Sequence, residues 1–313
     1  MNHYSTTQQL TKTPPKVKRG HVTGAYLTLP PNPHRYGEGG MRHSSLYKRN
    51  DETMPLISVV TIVYNGVAHL EETILSVLHQ PYKNVEYIVI DGGSTDGSVA
   101  LLKRYEDAID YWVSEADHGI ADAFNKGLSL CHGEWIGLLN ADDYYTEQTL
   151  QVIATENRGG VICGRLKFLE GEQSFETKSV PKLLPRMMSV NHPTTFVRSR
   201  VYDQYGPFDT TFSLAMDYEL LLRLFLHNIE FIAKDETLAV MRMGGVSDRQ
   251  YRDSLWEVYR AKRKHGLSLP SSFATFLGQY SRSLTTSLFN KAGLDFAVRF
   301  YRQHFIKINR KYL

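Results

Sequence analysis

The feature that most constrains this chain is ISVVTIV at positions 57–63, a seven-residue run dominated by β-branched side chains. A strand with one solvent-exposed face alternates apolar and polar residues, whereas a continuous run of β-branched residues is typical of a strand buried on both faces. The run ends at Tyr64-Asn65-Gly66, and residues 67–80 then place apolar side chains at helical spacing. Strand, turn and helix in this order predict the first half of a parallel βαβ unit.

The alternation of strand and helix continues to about residue 158 and then changes. We predict strands at 85–91, 110–115 and 134–140, helices at 95–106 and 120–131 and from 146, a hairpin at 161–177 and an amphipathic helix at 215–228. Such alternation is typical of parallel strands covered by helices on both faces. The predicted fold class is therefore α/β, with a mixed, mostly parallel central sheet flanked by helices and a helical C-terminal tail.

Composition and charge divide the chain into three segments. We expect an irregular N-terminal extension over residues 1–53, a folded domain over 54–245 and a helical basic tail over 246–313. Their net charges are +5, −11 and +9, within a total of +3. An acidic centre argues against nucleic acid as a substrate, and a basic tail suggests an anionic membrane surface as a partner.

The sequence also limits the compartment. It has two cysteines, Cys131 and Cys163, no zinc-site spacing and no run of about 18 apolar residues. Residues 296–313 form a basic amphipathic pattern with aromatics, which suits either a membrane interface or packing on the domain. We therefore predict a cytoplasmic protein, and the tail leaves open a peripheral position at the inner face of the cell membrane.

Polar residues follow three of the predicted strands, at Tyr64-Asn65, Asp91 and Asn140-Ala141-Asp142-Asp143. In an open parallel sheet, ligands bind beyond the carboxyl ends of the strands. The first turn lacks the GxGxxG pattern of a dinucleotide site, which disfavours a dehydrogenase. Each motif taken alone could be a turn or helix cap, but together they predict a carboxylate-lined crevice that a divalent metal with a bound diphosphate would neutralise.

At this point the sequence resembles glycosyltransferase family 2, the inverting enzymes of the GT-A fold. The resemblance covers residues 56 to about 243 and is carried by SVVTIVYNG (58–66), EYIVIDGGSTDGS (86–98), SEADHGIADAFNKGL (114–128), GLLNADDYY (137–145) and MDYELLLRL (216–224). It is similar above all to the branch that builds bacterial exopolysaccharides, capsules and O-antigens. The resemblance implies metal-dependent transfer of one sugar from a nucleotide-sugar donor.

The resemblance also assigns donor-site residues. It implies a nucleotide-base pocket and nearby nucleotide contacts formed by Val63, Tyr64, Asp91, Asn125 and Lys126. A carboxylate at Asp91 can accept the imino proton of uracil or thymine, which favours a UDP-sugar. Lys126 could equally be an ordinary solvated helix residue.

The DxD motif of the family falls on Asn140-Ala141-Asp142, so asparagine replaces its first aspartate. The resemblance keeps Asp142 as the metal ligand, with Mg²⁺ or Mn²⁺ as the cofactor because both take hard oxygen ligands. The amide of Asn140 can still bond a ribose hydroxyl.

The resemblance places the catalytic base on Asp217, which opens an apolar helix and could also be a helix-start residue. Glu219 is the second candidate. The segment 192–195 suits either an acceptor site or a turn, and the Gly-rich segment 243–247 either a flap or a plain loop. The absence of the QxxRW motif of processive members favours single-sugar transfer.

We expect the acceptor to be a saccharide or a polyprenyl-diphosphate-linked saccharide. Two other functions remain open at this stage. A sugar nucleotidyltransferase would need a Gly-rich, basic loop after the first strand, where this chain has Tyr64-Asn65-Gly66. A non-catalytic protein that binds a sugar nucleotide or a polysaccharide is compatible with the asparagine at position 140.

Overall fold

The computed structural model describes residues 4–49, 51, 53–171, 173–243 and 250–291. The strands are Leu10–Thr11 (β1), Gly37–Gly39 (β2), Tyr47–Lys48 (β3), Ile57–Val63 (β4), Val85–Asp91 (β5), Tyr111–Ser114 (β6), Trp135–Asn140 (β7), Tyr144–Tyr145 (β8), Val161–Glu170 (β9), Gln173–Thr177 (β10), Phe196–Arg198 (β11) and Phe231–Arg242 (β12). The α-helices are Val67–Leu78 (α1), Ser98–Arg104 (α2), Ile120–Leu130 (α3), Thr149–Ala154 (α4), Ser199–Tyr205 (α5), Met216–Leu226 (α6), Tyr251–Lys264 (α7) and Leu269–Lys291 (α8). Short 3-10 helices cover Ser5–Thr7, Met41–Ser44, Pro181–Leu183 and His192–Thr194. The amphipathic pattern at 296–313 and most of the predicted flap at 243–247 lie outside the described residues.

Strand β4 lies at the centre of a large mixed sheet. Within the described residues the sheet has ten strands, in the order β2-β6-β5-β4-β7-β11-β9-β12-β8, with β10 added beside β9. The strands β6, β5, β4 and β7 are mutually parallel, and β9 is parallel to β12. The predicted mixed, mostly parallel arrangement is confirmed for the part of the sheet that holds the strand-end motifs.

The chain reverses its direction of travel across the sheet after β6. The strands β4, β5 and β6 follow one another outward, and α3 then carries the chain back so that β7 lies on the other side of β4. A reversal of this kind opens a crevice beyond the carboxyl ends of the two strands, because their connections leave on opposite sides. The switch point therefore lies between β4 and β7.

Both faces of β4 are covered, as its run of mostly β-branched residues predicts. All seven of its residues are buried. Val60 and Ile62 belong to the core on the side of α3 and α6, whereas Val59 and Val63 belong to the core on the side of α1 and α2. Alternation of side chains along a strand directs successive residues to opposite faces, so each helical layer receives half of the run.

The N-terminal extension is attached to the domain more closely than its composition indicates. Its β2 pairs antiparallel with β6 and so extends the main sheet. Arg42 is buried and donates to Glu86 at 2.7 Å and to two backbone carbonyls. Burial raises the pKa of Glu86, but Arg42 and His132 outweigh it and lower that pKa to about 2. The sequence hides this attachment because Gly37–Gly39 is too short and polar to show a strand pattern.

The second half of the domain supplies the other edge of the sheet. The predicted hairpin is present as β9 and β10, which pair antiparallel from Gln173 opposite Glu170 to Thr177 opposite Leu166. Helix α7 packs on α6 and against α8. In the part of the chain that the structure describes, no helix is long and apolar enough to cross a membrane.

Candidate functional site

The polar residues at the strand ends come together as the sequence predicts. Val63 at the end of β4 lies opposite Asp91 at the end of β5, and Asn140 at the end of β7 lies opposite Ile62. The turns that follow also touch, because a Cβ placed on Gly66 would lie 3.3 Å from the Cβ of Ala141. One crevice edge therefore carries all three motifs.

Asp91 is completely buried beneath the turn that follows β5. Its Oδ2 accepts hydrogen bonds from the backbone N–H groups of Gly93 (3.1 Å) and Ser94 (2.9 Å) and from the Ser114 hydroxyl (2.5 Å). Its Oδ1 has no hydrogen-bond partner among the described residues. A buried carboxylate oxygen without a donor is costly, so this atom is a ready acceptor for a ligand N–H.

Two exposed tyrosines flank the same turn. Tyr64 is 70% exposed and Tyr36, from the N-terminal extension, is 68% exposed. A Cβ on Gly93 would lie 2.9 Å from Cε2 of Tyr36, and a Cβ on Gly92 would lie 3.5 Å from Cδ2 of Tyr64 and 2.5 Å from Oδ2 of Asp117. The two glycines thus leave room for two rings and a carboxylate around one turn.

Asn125 and Lys126 hold neighbouring segments in place. The Asn125 amide donates to the carbonyl of Phe208 and accepts from its N–H, both at 2.9 Å. Lys126 Nζ lies 3.1 Å from Glu115 and donates to the Ala116 carbonyl at 3.0 Å. The predicted nucleotide contacts of both residues stay predictions, and in this structure their polar atoms bond the protein.

The turn after β7 presents one accessible carboxylate. Asp142 is half-buried, whereas Asp143 is buried and its Oδ1 has no partner among the described residues. Burial and the neighbouring Asp142 raise the pKa of Asp143 well above its usual value. Asn140 Nδ2 donates to Asp143 at 3.3 Å, so the amide that replaces the first aspartate supports the second carboxyl group.

This turn fits a divalent ion that is shared with a substrate. Across the described residues, three or more His, Cys, Asp or Glu side chains nowhere gather to hold an ion by themselves. Mg²⁺ is usually bound by one or two carboxylates, with substrate phosphates and water completing its shell. Asp142, placed where a diphosphate would lie at the switch point, meets that requirement.

A cation also lies at this turn. Arg242, at the end of β12, donates from Nη1 to the backbone carbonyl of Asp142 at 2.8 Å and pairs with Glu72. Its guanidinium lies over the ring of Tyr144, with the Cζ 5.3 Å from the ring centroid. The Arg242 side chain is 24% exposed, which leaves its guanidinium accessible to an anion that approaches Asp142.

Asp217 opens α6 beside a small space lined by both polar and apolar side chains. That space has a volume of about 10 Å³, roughly that of one water molecule, and Leu138, His192 and Phe208 are among the residues that line it. Oδ1 of Asp217 accepts from the Tyr218 N–H at 2.7 Å. Burial raises the pKa of Asp217, and burial also lowers the pKa of His192.

The pocket connects Asp217 with the strand-end motifs through β7. Leu138 precedes Asn140 by two residues, so both side chains point to the same face of the strand, about 7 Å apart along it. His192 belongs to the predicted segment 192–195, and its Nε2 is buried without a hydrogen-bond partner in the described part of the chain. The structure therefore places that segment beside Asp217 as a 3-10 helix, and its role in an acceptor site stays a prediction.

Glu219 has a different environment from Asp217. It is fully buried and bonded to His265 at 2.7 Å, Arg223 at 3.1 Å and Lys264 at 3.2 Å. Burial raises its pKa, but the hydrogen bond from His265 and the charges of Arg223 and Lys264 outweigh burial and lower it. A carboxylate already paired with three basic groups is a poor proton acceptor, so the geometry favours Asp217 over Glu219 as a base.

Comparison with known proteins identifies the family. A model described as glycosyl transferase family 2 matches residues 58–225, more than half of the chain. The chain belongs to glycosyl transferase family 2. The matched range holds every strand-end motif and Asp217.

Curated relatives of this family 2 protein are named as glycosyltransferases. An uncharacterized glycosyltransferase of Mycobacterium tuberculosis is 32% identical over 179 residues, which cover 54% of this chain and 68% of that protein. One from Rickettsia typhi is 31% identical over 183 residues, which cover 53% of this chain and 57% of that protein. These names support a transferase.

Solved structures with the same fold are GT-A glycosyltransferases. S. aureus TarS (residues 1–349) in complex with UDP-GlcNAc has a TM-score of 0.55 and 18% identity, and covers 71% of this chain and 70% of its own. The mannosyltransferase PcManGT from Pyrobaculum calidifontis, in complex with GDP-Man and Mn²⁺, has a TM-score of 0.57 and 17% identity, and covers 80% and 83%. The likeness confirms the predicted GT-A fold.

The structure adds three residues of this family 2 glycosyltransferase to the candidate site. Tyr36 gives no signal in an irregular, polar segment. Asp117 lies in one of the motif segments, SEADHGIADAFNKGL, but its nearness to Tyr64 depends on the turn at Gly92. Arg242 precedes the predicted flap, yet its contact with Asp142 joins residues 100 positions apart.

Proposed function

We propose that the protein transfers one sugar, with inversion, from a nucleoside-diphosphate sugar to a hydroxyl group of a saccharide or lipid-linked saccharide in cell-surface polysaccharide biosynthesis. A UDP-sugar is the favoured donor. The observation that carries this proposal is the grouping of Tyr64, Asp91 and Asp142 at the carboxyl ends of three adjacent parallel strands, at the switch point of a family 2 domain.

The nucleotide end of the donor would lie over the turn that follows β5. Tyr64 and Tyr36 offer exposed ring faces for stacking on a base. The unpartnered Oδ1 of Asp91 can accept the N–H of a uracil once the turn above it opens. TarS, which shares the fold, is recorded with UDP and UDP-GlcNAc, and this supports a uridine nucleotide without deciding it.

The diphosphate would lie at the turn after β7. Asp142 would hold Mg²⁺ or Mn²⁺ there, and the ion would neutralise charge that develops on the leaving diphosphate. PcManGT with its bound Mn²⁺ supports a divalent ion in this fold. Arg242 adds a positive charge to the same turn and can donate hydrogen bonds to a phosphate oxygen.

Asp217 would act as the general base on the acceptor. Burial raises its pKa, which makes it a stronger proton acceptor than an exposed carboxylate. The acceptor oxygen forms a bond to the anomeric carbon as the bond from that carbon to the diphosphate breaks. The hydroxyl proton passes to Asp217, and inversion follows from attack opposite to the leaving group.

A thermal-shift screen tests the donor site without an acceptor. The purified protein is heated with UDP, GDP, dTDP or CMP, each with and without Mn²⁺, beside an Asp142→Ala variant. A ligand that binds only the native state raises the melting temperature by mass action. We expect a Mn²⁺-dependent shift with UDP that the variant loses.

Two outcomes would redirect the proposal. The lack of a shift with every nucleotide would contradict a nucleotide-sugar transferase. A donor shift without transfer to any saccharide tried would instead favour a sugar-nucleotide-binding protein, the alternative that Asn140 keeps open.

A further inference from the structure

A groove of about 610 Å³ lies at the edge of the main sheet opposite the strand-end motifs. His132, which lines the groove, precedes the first residue of β7, whereas the donor turns follow the last residues of β4, β5 and β7. A strand of seven residues such as β4 is roughly 20 Å long, so the groove and the donor turns are about that far apart. No residue that lines the groove belongs to the donor or acceptor side.

The N-terminal extension forms one wall of this groove. The wall is the irregular segment 11–18, in which Pro14 and Pro15 restrict the backbone. The Lys18 N–H donates to the Gly24 carbonyl at 2.9 Å, and a Cβ on Gly24 would lie 3.3 Å from Cδ2 of His132. The extension therefore packs directly against the edge of the domain where the groove lies.

The charges of the groove have one sign. No carboxylate of the described residues lines it, and the sequence has no Asp or Glu before Glu38. The ionisable side chains in the lining are all basic, namely Lys16, Lys18, Lys48, Arg49 and His132. Like charges that are gathered in one groove repel each other, so the arrangement favours the entry of an anion.

Three of these basic groups are available to a ligand. Lys16, Lys18 and Arg49 are exposed and form no ion pair with a described residue. Lys18 and Arg49 act electrostatically on Asp203 and Asp51, but neither carboxylate lies in the lining. The groove thus holds three positive charges without a carboxylate partner inside it.

The other two basic groups are buried in the wall. Lys48 is 4% exposed, and its Nζ lies 3.8 Å from Asp110 and donates to the Thr6 carbonyl. His132 is 6% exposed, and its Nδ1 lies 3.4 Å from Oε1 of Glu86. Nε2 of His132 is buried and has no hydrogen-bond partner among the described residues. A buried polar atom without a partner at the wall of a groove is available to bond a ligand there.

We propose that this groove binds a soluble ligand that carries two or more clustered phosphate groups. Ammonium and guanidinium groups are the usual partners of phosphate oxygens, and the Thr11 and Thr13 side chains line the same groove. A phosphate monoester carries a charge of about −1.5 to −2 near neutral pH, which three exposed cations exceed. The groove therefore matches more than one phosphate group.

The lining also separates a soluble ligand from a lipid. Its apolar residues are only Leu10, Pro14 and Pro15, which is too little surface to enclose an acyl chain. A soluble ligand would connect the extension, through Lys16 and Lys18, with the edge of the domain at His132. Because such a ligand binds the native state, it should also raise the melting temperature.

Isothermal titration calorimetry of the full chain with sodium tripolyphosphate tests the proposal. The buffer is free of divalent metal, so that no metal-bound phosphate forms at the donor turns. Inorganic phosphate at the same ionic strength is the probe with a single phosphate group. We expect tripolyphosphate to bind at least about tenfold more tightly, since one added charge-assisted hydrogen bond corresponds to about that factor.

Matched variants locate the binding. Lys16→Gln and Arg49→Gln should each weaken tripolyphosphate binding about tenfold. Lys12→Gln removes the same charge from an exposed lysine of the same segment that does not line the groove, and should leave binding unchanged. Arg242→Gln removes the cation of the donor turns and should also leave it unchanged. Melting temperatures of the four variants confirm that each is folded.

Four results would overturn the proposal. The first is the absence of tripolyphosphate binding to the unaltered chain. Equal weakening in Lys12→Gln and Lys16→Gln would mean general attraction of anions to a basic segment. Weakening in Arg242→Gln alone would place the phosphates at the donor turns. Sedimentation with phosphatidylglycerol vesicles that depends on Lys16, without tripolyphosphate binding, would make a lipid headgroup the ligand.

Discussion

The proposed donor and acceptor sides of the site are built in different ways. On the donor side, the three strand-end motifs lie at the ends of β4, β5 and β7 and in the turns that follow them, and Tyr36 and Arg242 join them from other segments. The acceptor side combines Asp217 at the start of α6 with His192 in a 3-10 helix and Leu138 in β7. The topology of the parallel sheet fixes the positions of the three strand-end motifs, whereas the acceptor side depends entirely on packing of distant segments.

The chemistry of the two sides differs as well. The donor side carries exposed tyrosines and carboxylates, together with the cation Arg242, which suits a charged nucleotide. The acceptor side places one carboxylate in a small pocket beside His192, next to a cavity lined by Lys178 and Arg186. Substitutions should therefore separate donor binding from the transfer step.

Asp217→Asn should show the largest difference between its effect on the transfer step and its effect on donor binding. Loss of a positioned general base should lower kcat by about 10³-fold, within the range of roughly 10² to 10⁴ for such groups. Binding of UDP with Mn²⁺ should be unchanged, because Asp217 is absent from the donor turns. Initial rates and a UDP titration measure the two quantities.

Glu219→Gln is the matched control for Asp217→Asn. Removing one partner of this buried cluster should lower the free energy of unfolding by about 2–3 kcal/mol, while the folded enzyme keeps its turnover. Denaturant unfolding measures the loss. The opposite result would be loss of turnover in Glu219→Gln at unchanged stability, together with normal turnover in Asp217→Asn. It would make Glu219 the base and Asp217 a structural residue.

The next largest effect belongs to the donor side. Asp142→Ala should weaken Mn²⁺-dependent UDP binding by on the order of 100-fold, at least as much as loss of an outer-shell partner of a metal ligand. Glu147→Ala removes an exposed carboxylate five residues away and should change nothing. If both variants weakened UDP binding equally, the effect would come from the loss of negative charge in general, and Asp142 would not be a metal ligand.

The pH dependence of turnover should report the acceptor side. A base must be deprotonated, so activity is lost as pH falls through the pKa of Asp217. Because burial raises that pKa above the usual carboxyl value, the acidic limb of kcat should lie above about pH 4, with a tenfold loss per unit below it. A profile of kcat from pH 4 to 8 at saturating donor tests this, and a limb at or below pH 4 would argue for an exposed carboxylate as the base.

The smallest effect tests the contribution of the N-terminal extension to the donor side. Tyr36→Ala should raise the Kd of UDP about fivefold, the cost of roughly 1 kcal/mol of base stacking. Tyr26→Ala removes another exposed tyrosine of the same extension and should leave the Kd unchanged. An unchanged Kd in both variants would place the base on Tyr64 alone.

Much of the fold and of the donor side can be read from the residues. The run at 57–63 predicts a doubly buried strand, and β4 is buried at all seven positions. The predicted strand at 85–91 has the same bounds as β5. The predictions for these segments are confirmed because the spacing of apolar residues indicates which faces of a helix or strand are buried.

The sequence is a weaker guide where contacts are long in range. The extension shows no strand pattern, yet Gly37–Gly39 completes one edge of the main sheet and brings Tyr36 to the turn at Gly93. Glu219 looks like an alternative base until His265, 46 residues later, is found bonded to it. Local pattern carries no information about partners of this kind.

The sequence by itself determined the parallel βαβ core, the positions of the strand-end turns and the residue types that those turns present. These follow from short-range physics, since apolar spacing sets the elements and a parallel sheet collects their carboxyl ends at one edge. Only the tertiary structure decided that Glu219 is buried against three basic groups and that Asp217 lies beside His192. It also decided that Tyr36 and Arg242 join the donor turns, and that a cavity with basic margins adjoins the acceptor side. The reason is physical, because burial, ion pairs and cavities depend on contacts between segments that are far apart in the chain. The local sequence pattern does not show which of these segments pack together.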